Sequence, residues 1–542
     1  MDTTDVVLPE TAPAEVQPDA GPGIARSAAI ISAGNIASRV LGLVREQVIA
    51  YLFGAGPLVD AFVVASQVPT LIYDLLIGGL LSSALVPVFS DYAAPERRPE
   101  LWRLASIVFS LVASIMAIFV LAIELGAHWV ALAMGSGFSP DTLAAATQMI
   151  RIMVPALLFF GLSGASTGLL YSLKRFRYPA FGAAAFNATV ITVGALLAAP
   201  VGIYSLALGV LAGAGVQLAI QLPDLPRAHL RFKIDLSHPG LRRISRLYVP
   251  ILLGLVISNI GVIIDRNLAS RTGAGSIAWM RYATTLIQAP LGLVSVAISL
   301  AALPSLSQRH VAGDLDGFRQ ILASGLRMIL VLIIPATVGI FVLAEPVIQL
   351  LFEHGEFVPF DTLQTSRALR LYLFGLPGAA IDWPLIFAFY ARKDTLTPAL
   401  VGVVAVLIYL AVAPTLAFVA GMGFLGLVVA NSVQLTSHAV IMLVLLHRRV
   451  DGVRGSGLVE TAAKTGLAAL VMGGVVWVSA GRLPSMIKVA GIPGQLLVVG
   501  SATAIGLATY ALLGTLLRVE EVGLIWTRIQ QKLPQWFDRY SE

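Results

Sequence analysis

Apolar segments long enough to cross a bilayer, about 20 residues each, recur along the whole chain and constrain its fold more than any other feature. Of 542 residues, 57% are hydrophobic and only 12% are Asp, Glu, Lys or Arg, which is about half the charged share of a soluble domain. In lipid, backbone polar groups must be satisfied within helices or a closed barrel. Strands of a barrel would alternate with period two over about 10 residues, and the segments show no such alternation. The sequence therefore predicts an all-α polytopic membrane protein.

Counting these segments gives about fourteen transmembrane helices. Lys and Arg are concentrated in alternate connections between them. These basic connections contain Arg97, Arg98 and Arg103; Lys174, Arg175 and Arg177; Arg227 and Lys233; Arg309 and Arg319; Arg392 and Lys393; and Arg448 and Arg449. Because basic loops stay in the cytoplasm, we predict that this set is cytoplasmic, and an even helix count places both termini there too. Arg271, Arg482 and Lys488 break the pattern.

Charge and composition exclude other classes. The net charge of +6 is explained by the cytoplasmic loops, so we predict no nucleic-acid binding. The sequence contains no Cys, which excludes disulfides and thiolate metal sites. The N-terminal segment is rich in Ala, Pro and acidic residues and lacks the basic and apolar regions of a signal peptide. We predict that it is a disordered cytoplasmic tail.

The chain contains an internal repeat. The segment from Gly42 reads GLVREQVIAYLFGAG, and the segment from Gly261, 219 positions later, reads GVIIDRNLASRTGAG. Lys174 and Lys393 correspond at the same offset. Each copy holds six predicted helices, and an even number leaves both copies in the same orientation. The repeat predicts two parallel six-helix lobes plus two C-terminal helices, with a substrate site between the lobes near the middle of the membrane.

The domain boundaries follow from the repeat. We predict a tail over 1–25, an N-lobe over 26–228, a C-lobe over 229–450, two further helices over 451–520 and a cytoplasmic C-terminal tail over 521–542.

A series of short motifs resembles one transporter family. The motifs are SRVLGLVR at Ser38–Arg45, FGAG at Phe53–Gly56 with DAF at Asp60–Phe62, LVPVF at Leu85–Phe89, KRF at Lys174–Phe176, LPSLS at Leu303–Ser307, LFEHG at Leu351–Gly355 and FYARKDT at Phe389–Thr395. Each motif is weak alone, but the ordered series resembles the MurJ (MviN) lipid II flippase family.

The resemblance implies a MATE-like fold of the MOP exporter superfamily. It also implies a function in cell-wall biosynthesis: moving lipid II, the undecaprenyl-pyrophosphate-linked peptidoglycan precursor, from the inner to the outer leaflet of the bacterial inner membrane by alternating access. The expected partners are lipid II or a related polyprenyl-pyrophosphate glycolipid and membrane lipids, and a contact with the cell-wall synthesis machinery is left open. No cofactor is expected, and the driving force is left open between Na⁺, H⁺ and the membrane potential.

Arginines within the membrane are the candidates for binding a pyrophosphate, because the guanidinium group binds phosphate oxygens bidentately and keeps its charge. Arg39 lies about 20 Å into the first predicted helix at 1.5 Å per residue, and Arg45 follows on the same helix. We predict that both face the cavity; the alternative for Arg45 is a pair with the neighbouring Glu46.

The sequence departs from the family at three places. Tyr73-Asp74 stands where the family usually has arginine on the second helix, and Gly78 stands where it usually has an acid a turn later. Thr285 stands at the position of a cavity arginine on the eighth helix. Arg281 lies one helical turn before Thr285 and so on the same face. We predict that Arg281 replaces the missing cation; the alternative is that Arg281 lies at the outer mouth of the helix.

Acidic residues in the predicted helices are candidate gating or coupling groups. Asp60 either caps the second helix or gates the outer side, and Asp74 is predicted to neutralise an arginine such as Arg39. Asp265 and Asp382 in the C-lobe are candidate ligands for a coupling cation, although Asp265 could simply pair with the adjacent Arg266. The repeat-equivalent arginines Arg151 and Arg370 are interpreted as structural.

Enzyme chemistry has no support in the sequence. We find no nucleophile with a base, no phosphate-binding loop and no zinc spacing among the seven His, so we predict a protein that is neither an enzyme nor a metalloprotein. Two other functions are weighed against the lipid II flippase. One is another MOP exporter, either a polyprenyl-linked polysaccharide flippase or a MATE-type drug or cation antiporter; the other is a non-transporting membrane scaffold.

Overall fold

A computed structural model describes residues 22–75, 84–225, 230–450, 457–486 and 491–524. The helices are α1 (Pro22–Phe53), α2 (Pro57–Tyr73), α3 (Val86–Asp91), α4 (Arg98–Met134), α5 (Pro140–Met153), α6 (Ala156–Ser172), α7 (Arg177–Val201), α8 (Tyr204–Ala219), α9 (Pro239–Ser270), α10 (Ser276–Pro290), α11 (Ala297–Val311), α12 (Leu315–Val342), α13 (Ala344–Phe352), α14 (Pro359–Leu373), α15 (Leu376–Ala391), α16 (Leu396–Pro414), α17 (Phe424–Arg449), α18 (Leu458–Met486) and α19 (Gly491–Leu516). A π-helical turn, Leu291–Val296, joins α10 to α11.

The protein is a multi-pass α-helical membrane protein. In the described ranges nine helices are long and apolar enough to cross a membrane, and the count reaches eleven when two bent pairs are taken as one span each. The pairs are α5 with α6, bent by 42°, and α14 with α15, bent by 46°. The long helices α1 and α9, which carry charged residues, are not among the nine. The expected number of fourteen spans therefore stays a prediction.

The internal repeat of the sequence is visible in the helix bounds. In three pairs of helices the second member begins 219 residues after the first: α2 and α10, α5 and α14, and α7 and α16. Lys174 and Lys393, at the same offset, both have a positive φ, 59° and 60°, which is uncommon for a residue other than Gly. The bend between α5 and α6 has its counterpart in the bend between α14 and α15, about one repeat later. The two lobes, α1–α8 and α9–α17, therefore repeat the same local geometry.

The C-terminal helices pack against the C-lobe. The Tyr510 hydroxyl on α19 donates to the Val331 carbonyl oxygen on α12 at 2.7 Å. The chain continues to pack beyond α19, since buried Glu521 forms an ion pair with Arg327 of α12 at 2.6 Å. The first residues of the predicted C-terminal tail therefore pack against α12, and the boundary at 521 stays a prediction. At the other terminus α1 already begins at Pro22, inside the predicted tail, while residues 1–21, 226–229 and 525–542 lie outside the described residues.

The lobes are bonded to each other at the end that the loop charges predict to be periplasmic. The Glu356 N–H donates to the Tyr51 carbonyl oxygen at 3.0 Å, and the Gly137 N–H donates to Ser270 Oγ at 3.0 Å. Gly355 has a φ of 62°, and a Cβ there would overlap the Tyr51 carbonyl oxygen. Only glycine fits this close approach.

Candidate functional site

A cavity of about 240 Å³ lies between the lobes. Its polar lining comes from Ser66, Gln67 and Thr70 of α2. Arg45 of α1 enters the cavity from the N-lobe and Arg281 of α10 from the C-lobe, and phenylalanine, valine and proline side chains of the N-lobe line the rest. The cavity therefore combines two guanidinium groups with hydroxyl and amide groups in an otherwise apolar wall.

Glu46 holds the two arginines together. Its carboxylate, only 3% exposed, accepts hydrogen bonds from Nη2 of Arg45 at 2.7 Å and from Nη2 and Nε of Arg281 at 2.7 and 3.2 Å. Arg45 Nη1 donates to Asn187 Oδ1 at 3.0 Å. The arginine side chains are 21% and 25% exposed, against 4% for the Glu46 side chain. One buried carboxylate therefore neutralises one of two cations, and the cluster keeps one net positive charge facing the cavity.

Arg39 lies just past the middle of α1 and is exposed. It is six residues before Arg45, about 9 Å along the helix axis. A Cβ added at Gly292, in the π-helical turn of the C-lobe, would overlap its guanidinium group. Within the described residues Arg39 has no hydrogen-bond or ion-pair partner. Its charge is therefore available at the lobe interface.

Asp60 joins the lobes next to this cluster. It lies in the first turn of α2 but does not cap α2, whose N-cap is Gly56. Its carboxylate, 1% exposed, accepts from the backbone N–H groups of Gly275 at 2.6 Å and Ala278 at 2.8 Å. These groups form the N-terminus of α10, where the helix dipole favours an anion. Asp60 therefore caps a helix of the opposite lobe, and the Tyr282 hydroxyl, which donates to the Gly54 carbonyl oxygen at 2.9 Å, adds a bond across the same junction.

Asp74 lies in different surroundings from Asp60. It follows the end of α2 and is exposed, and the described residues contain no ion pair between Asp74 and Arg39. Tyr73 packs against Phe160, with ring centroids 5.6 Å apart. Neutralisation of Arg39 by Asp74 therefore has no contact to support it in this conformation.

Arg281 lies on the same helix face as Thr285 and lines the interlobe cavity. The Thr285 hydroxyl one turn later donates to the Arg281 backbone carbonyl oxygen at 3.0 Å. Arg281 lies five residues after the start of α10, at the end predicted to be periplasmic. Replacement of the family cation by Arg281, and its alternative of a position at the outer mouth, both stay predictions.

The two C-lobe carboxylates have separate partners. Asp265 accepts a hydrogen bond from the Tyr409 hydroxyl and lies 3.8 Å from Arg266. Asp382 is hydrogen-bonded to His438 at 2.7 Å. No group of three or more His, Cys, Asp or Glu side chains in the described ranges could hold a metal ion. The sequence analysis missed His438, which could have been found as a histidine in the middle of an apolar run.

The repeat-equivalent arginines have different surroundings. Arg370 donates to the Phe341 carbonyl oxygen at 3.3 Å and lies 3.8 Å from Glu345. Arg151 is exposed and has no partner within the described residues. A shared structural task for the two is therefore not visible in their contacts.

Two repeated helical lobes with part-buried arginines between them define the fold, and solved transporter structures share it. The fold matches a structure of lipid II flippase MurJ in an inward closed conformation with a TM-score of 0.76, at 24% identity, over 91% of this chain and 99% of that chain. An inward-facing MATE-family multidrug resistance transporter of the MOP superfamily matches with a TM-score of 0.66, at 12% identity, over 76% of this chain and 94% of the other.

Sequence comparison identifies the family. Residues 49–494 match the model of the family "Lipid II flippase MurJ". The chain is 32% identical over 462 residues to the lipid II flippase MurJ of Burkholderia cenocepacia, covering 83% of this chain and 89% of that protein. It is 34% identical over 473 residues to the probable lipid II flippase MurJ of Vibrio cholerae, covering 84% and 88%. The protein therefore belongs to the MurJ lipid II flippase family.

Proposed function

We propose that this protein moves lipid II from the inner to the outer leaflet of the bacterial inner membrane by alternating access, with both termini in the cytoplasm. Membership of the MurJ family and the cationic cavity between the lobes support this function. The arrangement of loop charges supports the orientation.

The observation that carries the proposal is the carboxylate of Glu46 shared by arginines from opposite lobes. Like the Glu46 carboxylate, a pyrophosphate presents anionic oxygens that accept hydrogen bonds. It carries more negative charge and more oxygens than a carboxylate does. Guanidinium groups bind such oxygens bidentately. Pyrophosphate entering the cavity would compete with Glu46 for Arg45 and Arg281, and so it would act on both lobes at once.

Arg39 extends this cationic surface along α1. Its guanidinium is about 9 Å from the level of Arg45, and it touches the C-lobe at Gly292. A headgroup that moves along the lobe interface would therefore meet Arg39 and the Arg45–Arg281 pair in turn. We therefore propose that lipid II binds in this cavity and passes along the lobe interface from one leaflet to the other.

The test is complementation of a bacterium depleted of its own flippase, together with lipid II translocation in proteoliposomes. Losing one charge-assisted contact costs about 1.5–3 kcal/mol, so Arg45→Ala and Arg281→Ala should each lower translocation about 10- to 150-fold. Arg281→Lys should recover part of the activity, because the charge returns without the bidentate geometry. Arg151→Ala is the matched control, since Arg151 is an exposed arginine outside the cavity. Full activity of Arg45→Ala and Arg281→Ala would contradict the proposal.

Thr285 gives a second test. Thr285→Arg added to Arg281→Ala returns a guanidinium to the same face one turn away. We expect partial restoration of translocation by the double variant. A double variant as inactive as Arg281→Ala would show that the pairing with Glu46 itself is required.

A related exporter function is the second candidate. With Tyr73-Asp74 the second helix lacks the arginine charge that the family usually has there, and this difference favours a substrate other than ordinary lipid II. The same proteoliposomes, loaded with another polyprenyl-pyrophosphate glycan or with a cationic drug, distinguish the two. Faster transport of either compound than of lipid II would replace the first proposal by the second.

A further inference from the structure

His438 and Asp382 form a polar pair inside the C-lobe that the cationic cavity does not include. His438 lies 14 residues after the start of α17, about 21 Å along the axis, and so near mid-membrane. His438 Nδ1 and Asp382 Oδ1 are 2.7 Å apart, and the side chains are 13% and 16% exposed. Ionisable side chains at this depth are costly and are typical of proton or ion pathways.

The hydrogen-bond chemistry defines which ring nitrogen of His438 faces Asp382 as a donor. A carboxylate only accepts hydrogen bonds, so Nδ1 carries a proton and its N–H donates to Asp382. In the neutral form of the ring, Nε2 is the acceptor nitrogen. It lies 4.0 Å from the position of a Cβ at Gly402 on α16, and within the described residues it has no hydrogen-bond partner.

Other titratable groups on the helices packed against the pair are engaged elsewhere or exposed. Tyr390 lies near Asp382 on α15, and Tyr409 of α16 donates to Asp265. Of the arginines on these helices, one is exposed and the others pair with acids: Arg367 of α14 is exposed, Arg370 of α14 pairs with Glu345, Arg327 and Arg319 of α12 pair with Glu521 and Asp316, and Arg309 of α11 pairs with Asp314. The charged groups His310 of α11 and His447, Arg448 and Arg449 of α17 lie at the ends of their helices. Within the described residues, His438 and Asp382 have only each other as ion-pair partners.

The pair lies beside a tight helix contact. A Cβ at Gly375 would be 2.7 Å from the Ser432 Cα, and a Cβ at Gly378 would be 2.9 Å from the Thr436 Cα. Gly375 lies at the 46° bend between α14 and α15. Asp382 follows Gly378 by one helical turn, so a change in the His438–Asp382 bond acts on α15 directly after its bend.

We propose that His438 and Asp382 form a proton-binding site through which the proton gradient drives substrate export; this rests on the proposed flippase function. Imidazole is the side chain whose charge changes between pH 5 and 8 in its ordinary state. A proton that binds Nε2 converts the pair from one net negative charge to a neutral imidazolium–carboxylate pair, and no other bond is formed or broken. The neutral pair is held more strongly because its hydrogen bond is charge-assisted at both ends. A proton taken up from the periplasm and released to the cytoplasm would thus tighten and then loosen α15 against α17 in each cycle.

Proton binding is measured without transport. In protein labelled with ¹³C-histidine, comparison with His438→Gln identifies the His438 signal among the seven histidines. We expect this signal to change between its neutral and charged positions within pH 5–8. A His438 signal that keeps one charge state across this range would overturn the proposal, whatever the substrate of the protein is.

Coupling is measured in proteoliposomes that contain lipid II, with valinomycin and K⁺ holding the membrane potential at zero. One proton exchanged per lipid should shift the leaflet distribution about tenfold for each pH unit of gradient. His438→Gln and Asp382→Asn should still equilibrate lipid II between the leaflets but should lose this shift. His128→Gln, at an exposed membrane-helix histidine, should keep it.

Two outcomes separate the proposals. A gradient response that persists in His438→Gln would overturn the proton site and leave the flippase function intact. Absence of lipid II translocation in the wild-type protein would contradict the flippase function, and the histidine titration would then still decide whether the proton site exists.

Discussion

Replacing Asp60 by Asn should open the end of the protein at which the lobes are bonded. Asp60 accepts two backbone hydrogen bonds across the lobes, of 2.6 and 2.8 Å, and a bond to a charged group contributes about 1.5–3 kcal/mol. Asn keeps one acceptor oxygen, so Asp60→Asn loses one charge-assisted bond and the charge at the α10 N-terminus. Because these bonds exist only while the lobes are in contact, losing one destabilises the closed state relative to the open state. The open fraction should rise about 10- to 150-fold.

The absence of Cys from the chain allows a direct assay. Ser66 lines the cavity, so Ser66→Cys places the sole thiol there. Labelling by a membrane-impermeant maleimide added at the periplasmic face should be about tenfold faster, or more, with Asp60→Asn. Asp141→Asn, at an exposed first-turn aspartate of α5, is the matched control and should leave the rate unchanged. Equal labelling rates in the wild type and Asp60→Asn would refute the gating role.

Three further predictions follow from local contacts. Gly292→Ala should displace the flexible guanidinium of Arg39 and so lower translocation about as much as Arg39→Ala, while the melting temperature stays unchanged; full translocation by Gly292→Ala would contradict the role of this contact. The hydrogen bond from the Gly317 N–H, with the Arg309 guanidinium, holds the pKa of Asp314 below its ordinary value of 3.8, so its stabilisation is complete above that pH and is lost as the pH falls below it. Asp314→Asn should therefore lower the melting temperature at pH 7 and flatten its decline in acid, and a decline as steep as in the wild type would argue against this cap. Reporter fusions after Lys174 should report the cytoplasm and fusions after Gly355 the periplasm; the same side for both would disprove the orientation.

The fold was accessible from sequence because the signals are local or periodic. Apolar run length gives helices, and the repeat at 219 residues recurs in the starts of three helix pairs and in the left-handed backbone of Lys174 and Lys393. The C-terminal end of the folded region was harder to predict from sequence. Glu521 follows a polar break after the last apolar run, and only its distant partner Arg327 keeps it in the folded part.

The site was only partly accessible from sequence. Their position in apolar runs marks Arg39, Arg45 and Arg281 as charges within predicted membrane helices, but the bond from Arg281 to Glu46 joins residues 235 positions apart. An acid in the first turn of a helix usually interacts with the N-terminus of that same helix, which is why a cap of α2 was one interpretation of Asp60. In the structure Asp60 instead accepts hydrogen bonds at the N-terminus of α10. Which groups meet across the lobes depends on how the lobes are apposed, and local patterns of residues do not report contacts between positions so far apart in the chain.

We expect Glu46 to make the cavity selective by valence. A bare pair of arginines would attract any small anion, but here the resident carboxylate is bonded to both. An anion that displaced it would leave a buried carboxylate without its partners, at a cost of several kcal/mol. Chloride would bring one charge and no directional acceptors, so it would gain too little in the exchange, whereas a multiply charged oxyanion would gain contacts to both guanidinium groups. The internal counter-ion would thus set a threshold against ion leakage, and it would favour release by binding both arginines again when the cargo departs.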